Sequence, residues 1–221
     1  MTSSLLKKVL MKLNIYIFNN FSVRATGGGR NTIQVKRGGI FMSCKITISG
    51  INNTLIVADG GINRVKKLRI FIKGNNNIIK IGSNNSICDM TVFVEDDNNT
   101  LTIGNNNRFA GDIELALMEG TQISIADNCL FSSNIKIRTG DSHSLLDNYS
   151  RNRINKSKSI SINNHVWLGQ NVSVLKGVTL FENSVVGMGS LVTKTIDKGN
   201  CVIAGVPAKL LKENIDWNYF K

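Results

Sequence analysis

Between Ile162 and Val192 an aliphatic residue returns every sixth position: Ile162, Leu168, Val174, Leu180, Val186 and Val192. Four places after each of the first five stands a second small or β-branched residue, Val166, Val172, Val178, Ser184 and Ser190. A helix repeats its apolar stripe about every 3.6 residues and a lone strand alternates face at every second residue, so neither produces this beat. A chain wound into a prism of three short strands per coil does, with one hexad to each strand and turn. The first residue of each hexad then points inward and stacks on its counterpart a coil away, which is the repeat signature of a solenoid.

A looser form of the pattern runs from about Ile40 to Ile137. The segments 50–57, 74–81, 97–103 and 120–125 resemble one another, and Leu55, Ile79, Leu101 and Ile123 are spaced by 24, 22 and 22 residues. Three hexads span fewer, so each of these coils carries a few extra residues, expected at one corner. The doublets and triplets Asn52-Asn53, Asn75-Asn76-Asn77, Asn84-Asn85, Asn98-Asn99 and Asn105-Asn106-Asn107 read as those corners, because Asn tolerates left-handed backbone. The repeat breaks between Arg138 and Ser159, a polar, charged and aperiodic stretch of the kind that is either functional or disordered. The prediction is an all-β chain, a parallel β-helix with short helical caps at the termini. Its parts are an N-terminal amphipathic cap segment (1–21), irregular solenoid coils (22–137), an active-site loop (138–159), a strict hexapeptide-repeat β-helix (160–209) and a C-terminal cap (210–221).

Composition changes this picture in three places. The formal net charge is +12, which points to a polyanionic partner: a phosphorylated cofactor, an acidic polysaccharide, a membrane face or nucleic acid. Nucleic acid has only the charge in its favour, since no known binding module is visible, and it is not expected as a partner. Cys44, Cys88, Cys129 and Cys201 lie far apart with no CxxC pair, which reads as free thiols in a reducing compartment. In the N-terminal segment Leu5, Leu6, Val9, Leu10 and Leu13 are spaced as on an amphipathic helix, with Lys7, Lys8 and Lys12 between them. Lys12 and Asn14 interrupt the apolar run a signal peptide needs, and no segment is long and apolar enough to span a bilayer. The expectation is a cytoplasmic protein, with membrane contact, if any, through this basic segment.

Two histidines are available for chemistry. His143 stands in the break, in Gly140-Asp-Ser-His-Ser, and an imidazole with a reference pKa of about 6.5 is suited to take a proton from a hydroxyl near neutral pH. Asp141 and Asp147 are both close enough in sequence to hold its tautomer, and the sequence does not choose between them; Asp141 is carried with His143 in the predicted catalytic set. His165 falls inside a regular hexad and reads as a polar corner residue. A metal site of three histidines has too few ligands here, so no metal is expected. No nucleophile-elbow pattern is present.

The runs Asn164-His-Val-Trp-Leu-Gly169, Val174-Leu-Lys-Gly-Val-Thr179, Gly187-Met-Gly-Ser-Leu-Val-Thr-Lys194 and Ala204-Gly-Val-Pro-Ala-Lys209 resemble the hexapeptide-repeat acyltransferases. The nearest branch is that of the galactoside, maltose and capsular-polysaccharide O-acetyltransferases, and the likeness is tight over residues 134–212. It implies a left-handed β-helix that acts as a homotrimer on acetyl-CoA. It makes His143 the catalytic base and sets Trp167 beside the thioester end of the donor. It places Gln170 and Met188 along the pantetheine channel, and Thr193, Lys194, Lys209 and Lys212 around the nucleotide end. Lysine at the last two positions, where relatives often carry arginine, makes point-charge phosphate contacts the expectation. His143-Ser144, where the sugar acetyltransferases often show His-Pro, is closer to the polysaccharide-modifying branch.

The function implied is transfer of the acetyl group of acetyl-CoA to a hydroxyl of a carbohydrate, a surface or capsular polysaccharide of acidic character. The alternatives are an N-acetyltransferase acting on a nucleotide-linked amino sugar, and a non-enzymatic β-solenoid that binds or scaffolds.

Overall fold

The computed structural model describes residues 17–26, 30–35, 39–58 and 61–220. Among them the chain forms only strands, corners and one excursion, with no helix. The strands build a prism with three faces. The first and second faces make up one fourteen-stranded sheet and the third face a seven-stranded sheet. Taking one coil as an example, Arg108–Leu117 crosses the first face, bends at Gly111 and Asp112 where φ is positive, and continues along the second face. Gln122–Ile125 then forms the third face, and Leu130–Arg138 begins the next coil.

Register confirms the stacking that the sequence predicts. Leu55 pairs with Ile79, Ile79 with Leu101, Leu101 with Ile123 and Ile123 with Ile160, always parallel. Ile162 stacks on Leu180, Leu168 on Val186 and Val174 on Val192. All of these are buried, as are Val166, Val172, Val178, Ser184 and Ser190. Each inward side chain thus meets its own counterpart above and below, and burial of one apolar column per face supplies the cohesion.

The asparagines do more than turn the chain. Asn52, Asn76, Asn84, Asn98, Asn106 and Asn128 have φ between 57° and 63° and make the left-handed corners. Their neighbours Asn53, Asn77 and Asn99 are buried and form a ladder. The Oδ1 of Asn53 accepts from the backbone N–H of Asn77 at 3.0 Å, and that of Asn77 from Asn99 N–H at 2.8 Å. A second ladder joins Asn63, Asn85, Asn107 and the N–H of Cys129. The ladders satisfy backbone groups at corners where three short strands cannot.

Most of the extra residues of the early coils enter at one corner, between the second and third faces, and two more enter between Val57 and Val65, from the third face to the first. The step from Leu115 to Ile125 in one coil becomes Ile137 to Ile162 in the next and Val174 to Leu180 in the one after, in continuous register. The excursion between Arg138 and Ile160 therefore enlarges a corner that was already loose.

The helical caps need correction. Residues 1–16 of the N-terminal segment lie outside the described residues, and Ile17–Thr26 is a strand paired in parallel with Gly39–Ser49. At the other end Ala208–Glu213 folds back antiparallel onto Cys201–Gly205. Backbone pairing with an available sheet edge outweighs the helix-forming residues of that segment. The tail beyond it is a strap: Ile215 N–H donates to Asn200 O at 3.0 Å and Trp217 Nε1 to His165 O at 2.8 Å.

Candidate active site

The excursion is held on both sides of its parent corner. In the preceding coil Glu119, itself at φ 60°, accepts the Arg153 guanidinium on one carboxylate oxygen and the Ser157 N–H, at 3.0 Å, on the other. These bonds, the Ser157 N–H first, lower its pKa from 4.5 to about 2. In the following coil Lys176 donates to the Asp141 carboxylate and, at 3.0 Å, to Asn155 O. Lys176 first and Asn155 second hold the Asp141 pKa below its ordinary value. Gly140 starts the excursion with no room for a side chain, since a Cβ there would lie 2.2 Å from Ser157 Oγ.

Asn155 is the hub. Its Nδ2 donates to Asp141 Oδ2 at 2.9 Å and to His143 O at 2.8 Å, while its Oδ1 accepts from Leu145 N–H at 2.7 Å and Arg153 Nε at 3.2 Å. It is buried although its neighbours are exposed. His143 is thereby fixed through its main chain, with its N–H also donating to Asp141 O at 2.8 Å. The exposed His143 ring makes no hydrogen bond among the described residues, and the Asp141 carboxylate faces Lys176 and Asn155. Asp147 shapes the tip of the excursion by accepting from Ser150 N–H at 2.7 Å and Ser150 Oγ at 2.8 Å. That tip exposes Leu145, Leu146, Tyr149 and Ile154, with Tyr149 93% and Ile154 66% accessible.

Trp167 points outward from the first face, between Leu130 and Val185 in register. Its Nε1 is buried and has no hydrogen-bond partner among the described residues. The strap reaches it: Trp217 lies 5.9 Å from Trp167 between ring centroids and stacks on His165 at 4.1 Å. His165, at φ 57° with Nδ1 3.0 Å from Asn183 Oδ1, is the corner residue predicted, and it also seats Trp217.

Gln170 and Met188 occupy the corner between the first and second faces, where Gly189 N–H donates to Gln170 O at 2.8 Å. A Cβ on Gly169 would lie 2.7 Å from Met188 N, and one on Gly187 2.7 Å from Ala204 Cβ. This edge therefore presents backbone and an exposed Met188. Thr193, Lys194, Lys209 and Lys212 are exposed at the C-terminal end, and none of the three lysines is ion-paired among the described residues. Lys198 by contrast is committed to Glu213 at 2.7 Å. Unpaired cations near an edge of backbone and Met188, with Lys209 paired to Ala204 and Ala204 against Gly187, suit a ligand that bears phosphates on an extended arm.

The chain does not bring all of these residues together. His143 belongs to the corner between the second and third faces, Gln170 and Met188 to that between the first and second, and Trp167 to the first face. The sequence reading overlooked Asn155, Lys176 and Trp217. A buried Asn in an otherwise exposed excursion carries no sequence signal, and Lys176 was visible only as part of a quoted hexad.

No protein-family model matches the chain. A polysialic acid O-acetyltransferase of Escherichia coli O1:K1 / APEC is 37% identical over 89 residues, which cover 40% of this chain and 29% of that protein. The chain thus spans less than a third of that curated relative's length. The crystal structure of the polysialic-acid-specific acetyltransferase NeuO superposes with a TM-score of 0.83 at 32% identity, covering 91% of this chain and 90% of that one. The polysialic acid O-acetyltransferase OatWY superposes with a TM-score of 0.75 at 28% identity, covering 94% and 92%. With its stacked hexads and this likeness over nearly the whole of a solved chain, the protein belongs to the hexapeptide-repeat O-acetyltransferases.

Proposed function

We propose that the protein transfers the acetyl group of acetyl-CoA to a hydroxyl of an acidic, capsular-type polysaccharide, as a cytoplasmic homotrimer. The observation that carries the reading is the fixed main chain of His143 in a braced excursion whose ring is free. The family membership and the names of the relatives support the reaction and the acceptor class.

The separation of the site residues supports the assembly of copies in this reading. His143 and the Gln170–Met188 edge lie on different edges of one prism, so a complete site needs the edge of a neighbouring copy. The exposed apolar tip of the excursion, with Tyr149 and Ile154, suits contact with that neighbour.

Acetyl-CoA supplies the acetyl group as an activated thioester. Lys194, Lys209 and Lys212 hold its phosphates, and Gln170 and Met188 flank its arm. The unprotonated ring of His143 takes the proton of the acceptor hydroxyl as that oxygen bonds to the acyl carbon. As the carbon–sulfur bond breaks, His143 returns the proton to sulfur. Asp141, Lys176 and Asn155 are positioning residues that keep the His143 backbone in place.

The test is thioester consumption with acetyl-CoA across a panel of neutral and acidic saccharides. His143→Ala should keep the fold and coenzyme A binding while transfer falls by about 10²- to 10⁴-fold, the usual contribution of a general base. Near-normal transfer by the variant would overturn the base assignment. Wild-type inactivity on every saccharide would favour a binding solenoid.

A further inference from the structure

The early coils carry a cationic groove that neither the excursion nor the donor edge uses. Outward on the first face, one column runs Ile40, Arg64, Ser86, Arg108, Leu130, Trp167 in unbroken parallel register. Neighbouring strands stand about 4.8 Å apart, which sets Arg64 and Arg108 roughly 10 Å from each other and Arg108 roughly 10 Å from Trp167 along the prism. Beside this column the corners between the third and first faces form a groove lined by Arg64, Ser86, Asn84, Asn106, Arg108 and Tyr219. It broadens over Ser83, Asn105 and Asp127 into an open hollow of about 650 Å³.

Tyr219, at the end of the strap, closes the groove on the side of Trp167. Its hydroxyl donates to Asn128 O and Cys129 O at 3.3 Å, and the Arg108 guanidinium lies 4.8 Å from its ring centroid. None of the ion pairs among the described residues involves Arg64, Lys66 or Arg108. Three and five places after Arg64 on the same coil the opposite holds, since Lys67 and Arg69 share Asp89 at 2.8 and 3.0 Å. Asp127, the carboxylate of the hollow, already accepts from Asn105 N at 2.6 Å and Nδ2 at 3.3 Å.

We propose that this groove binds the acidic polysaccharide at sugar units remote from the one being acetylated, with Arg64 and Arg108 each pairing with a glycan carboxylate. The inference rests on the O-acetyltransferase reading and extends it from a reacting sugar to a polymer laid along the prism toward Trp167. A guanidinium fork matches a carboxylate, and asparagine amides and a serine hydroxyl match sugar hydroxyls. Single-stranded nucleic acid fits less well, because it calls for successive aromatic platforms and the groove has one ring at its end.

The test is binding without acetyl-CoA. Affinity for polysialic acid is measured for the full chain and for Arg64→Ser/Arg108→Ser, alongside neutral dextran and a DNA oligonucleotide of equal charge. Coenzyme A binding serves as the folding control. We expect the double variant to lose affinity for polysialic acid by about 10-fold or more, since hydrogen bonds between charged groups contribute that much, with coenzyme A binding unchanged and dextran bound by neither protein. Unchanged polysialic acid affinity in the variant would overturn the groove. So would wild-type binding of DNA as tight as of polysialic acid, or no wild-type binding of polysialic acid. The acetyl-transfer panel stands or falls separately, because it needs no groove to register transfer to a short acceptor. A single charge reversal, Arg64→Glu, should weaken binding further than Arg64→Ser; equal effects would mean that charge is not what the site reads.

Discussion

Asn155→Ala removes the residue on which the placement of His143 depends. Four side-chain hydrogen bonds disappear: two donated, to Asp141 Oδ2 and His143 O, and two accepted, from Leu145 N–H and Arg153 Nε. A typical hydrogen bond contributes about 0.5–1.5 kcal/mol net, and leaving a buried partner unsatisfied costs more. Most of the freed partners sit at the surface and regain water, so the lower part of the range applies to each, or about 2–4 kcal/mol for the set. That loss falls on the local order of the excursion, because of its remaining anchors Glu119 with Arg153 does not touch the His143 main chain and Lys176 with Asp141 reaches it only through the single His143 N–H bond to Asp141 O. The solenoid itself keeps its stacked columns.

If the productive placement of His143 then costs about 2–4 kcal/mol, kcat should fall by roughly 30- to 1000-fold at about 1.4 kcal/mol per decade. The KM for acetyl-CoA should stay put, since the lysines at the C-terminal end are untouched. Limited proteolysis should cut between Arg138 and Ile160 in the variant well before it cuts the coils. Asn155→Asp keeps the acceptor oxygen toward Leu145 N–H but sets a carboxylate oxygen against Asp141 Oδ2 and His143 O, where the amide had donated, so it should fall at least as far as Ala. A variant with wild-type kcat and wild-type resistance to proteolysis would refute the argument, because it would mean that His143 is placed by something other than this hub.

Two further outcomes follow from the same contacts. Asn77→Ala leaves Asp96 O and the N–H of Asn99 without their partners in a buried ladder, at about 1–3 kcal/mol each, whereas Asn76→Gly keeps its corner φ of 57° and should be nearly neutral; equal denaturation midpoints for the two would sink the ladder reading. Acid should loosen the excursion before it loosens the coils: the Glu119 carboxylate favours the braced form above its ordinary pKa of 4.5, and that contribution is lost as pH falls toward about 2, with Asp141 acting in the same direction. Hydrogen exchange of residues 139–159, corrected for its intrinsic pH dependence, should show protection lost in that window and little change in Glu119→Gln, whose bracing is already weakened.

Columns were legible in the sequence and cross-coil contacts were not. Ile162, Leu168 and Val174 announce themselves because each must match the residue stacked on it, and a strict period is the only pattern that satisfies that demand. The asparagine triplets were read as corners, which is true of Asn76. The same letter, however, serves at Asn75 to donate from its side-chain amide to Asp97 one coil on and at Asn77 to run a buried ladder. Periodicity has no means of separating those three roles. The C-terminal segment misled for a related reason, since nothing local in Ala208–Glu213 reveals that Cys201–Gly205 offers it a free edge.

The site's position has a cause that the coil geometry supplies. In a prism of stacked hexads the faces are locked by register, and inserted residues can be absorbed only where a coil turns. This chain absorbs most of them at one corner, between the second and third faces, in coil after coil, and Leu115 to Ile125 already exceeds the step from Val174 to Leu180. The excursion that bears His143 is the largest member of that series, and it is braced by the residues standing at the same corner one coil before and one coil after, Glu119 and Lys176. Those two braces are charged because a corner is exposed, and they are effective because stacking keeps them in line with the excursion. The proposed base thus sits on the part of the prism with the most freedom, and its placement is set by the rigid columns on either side.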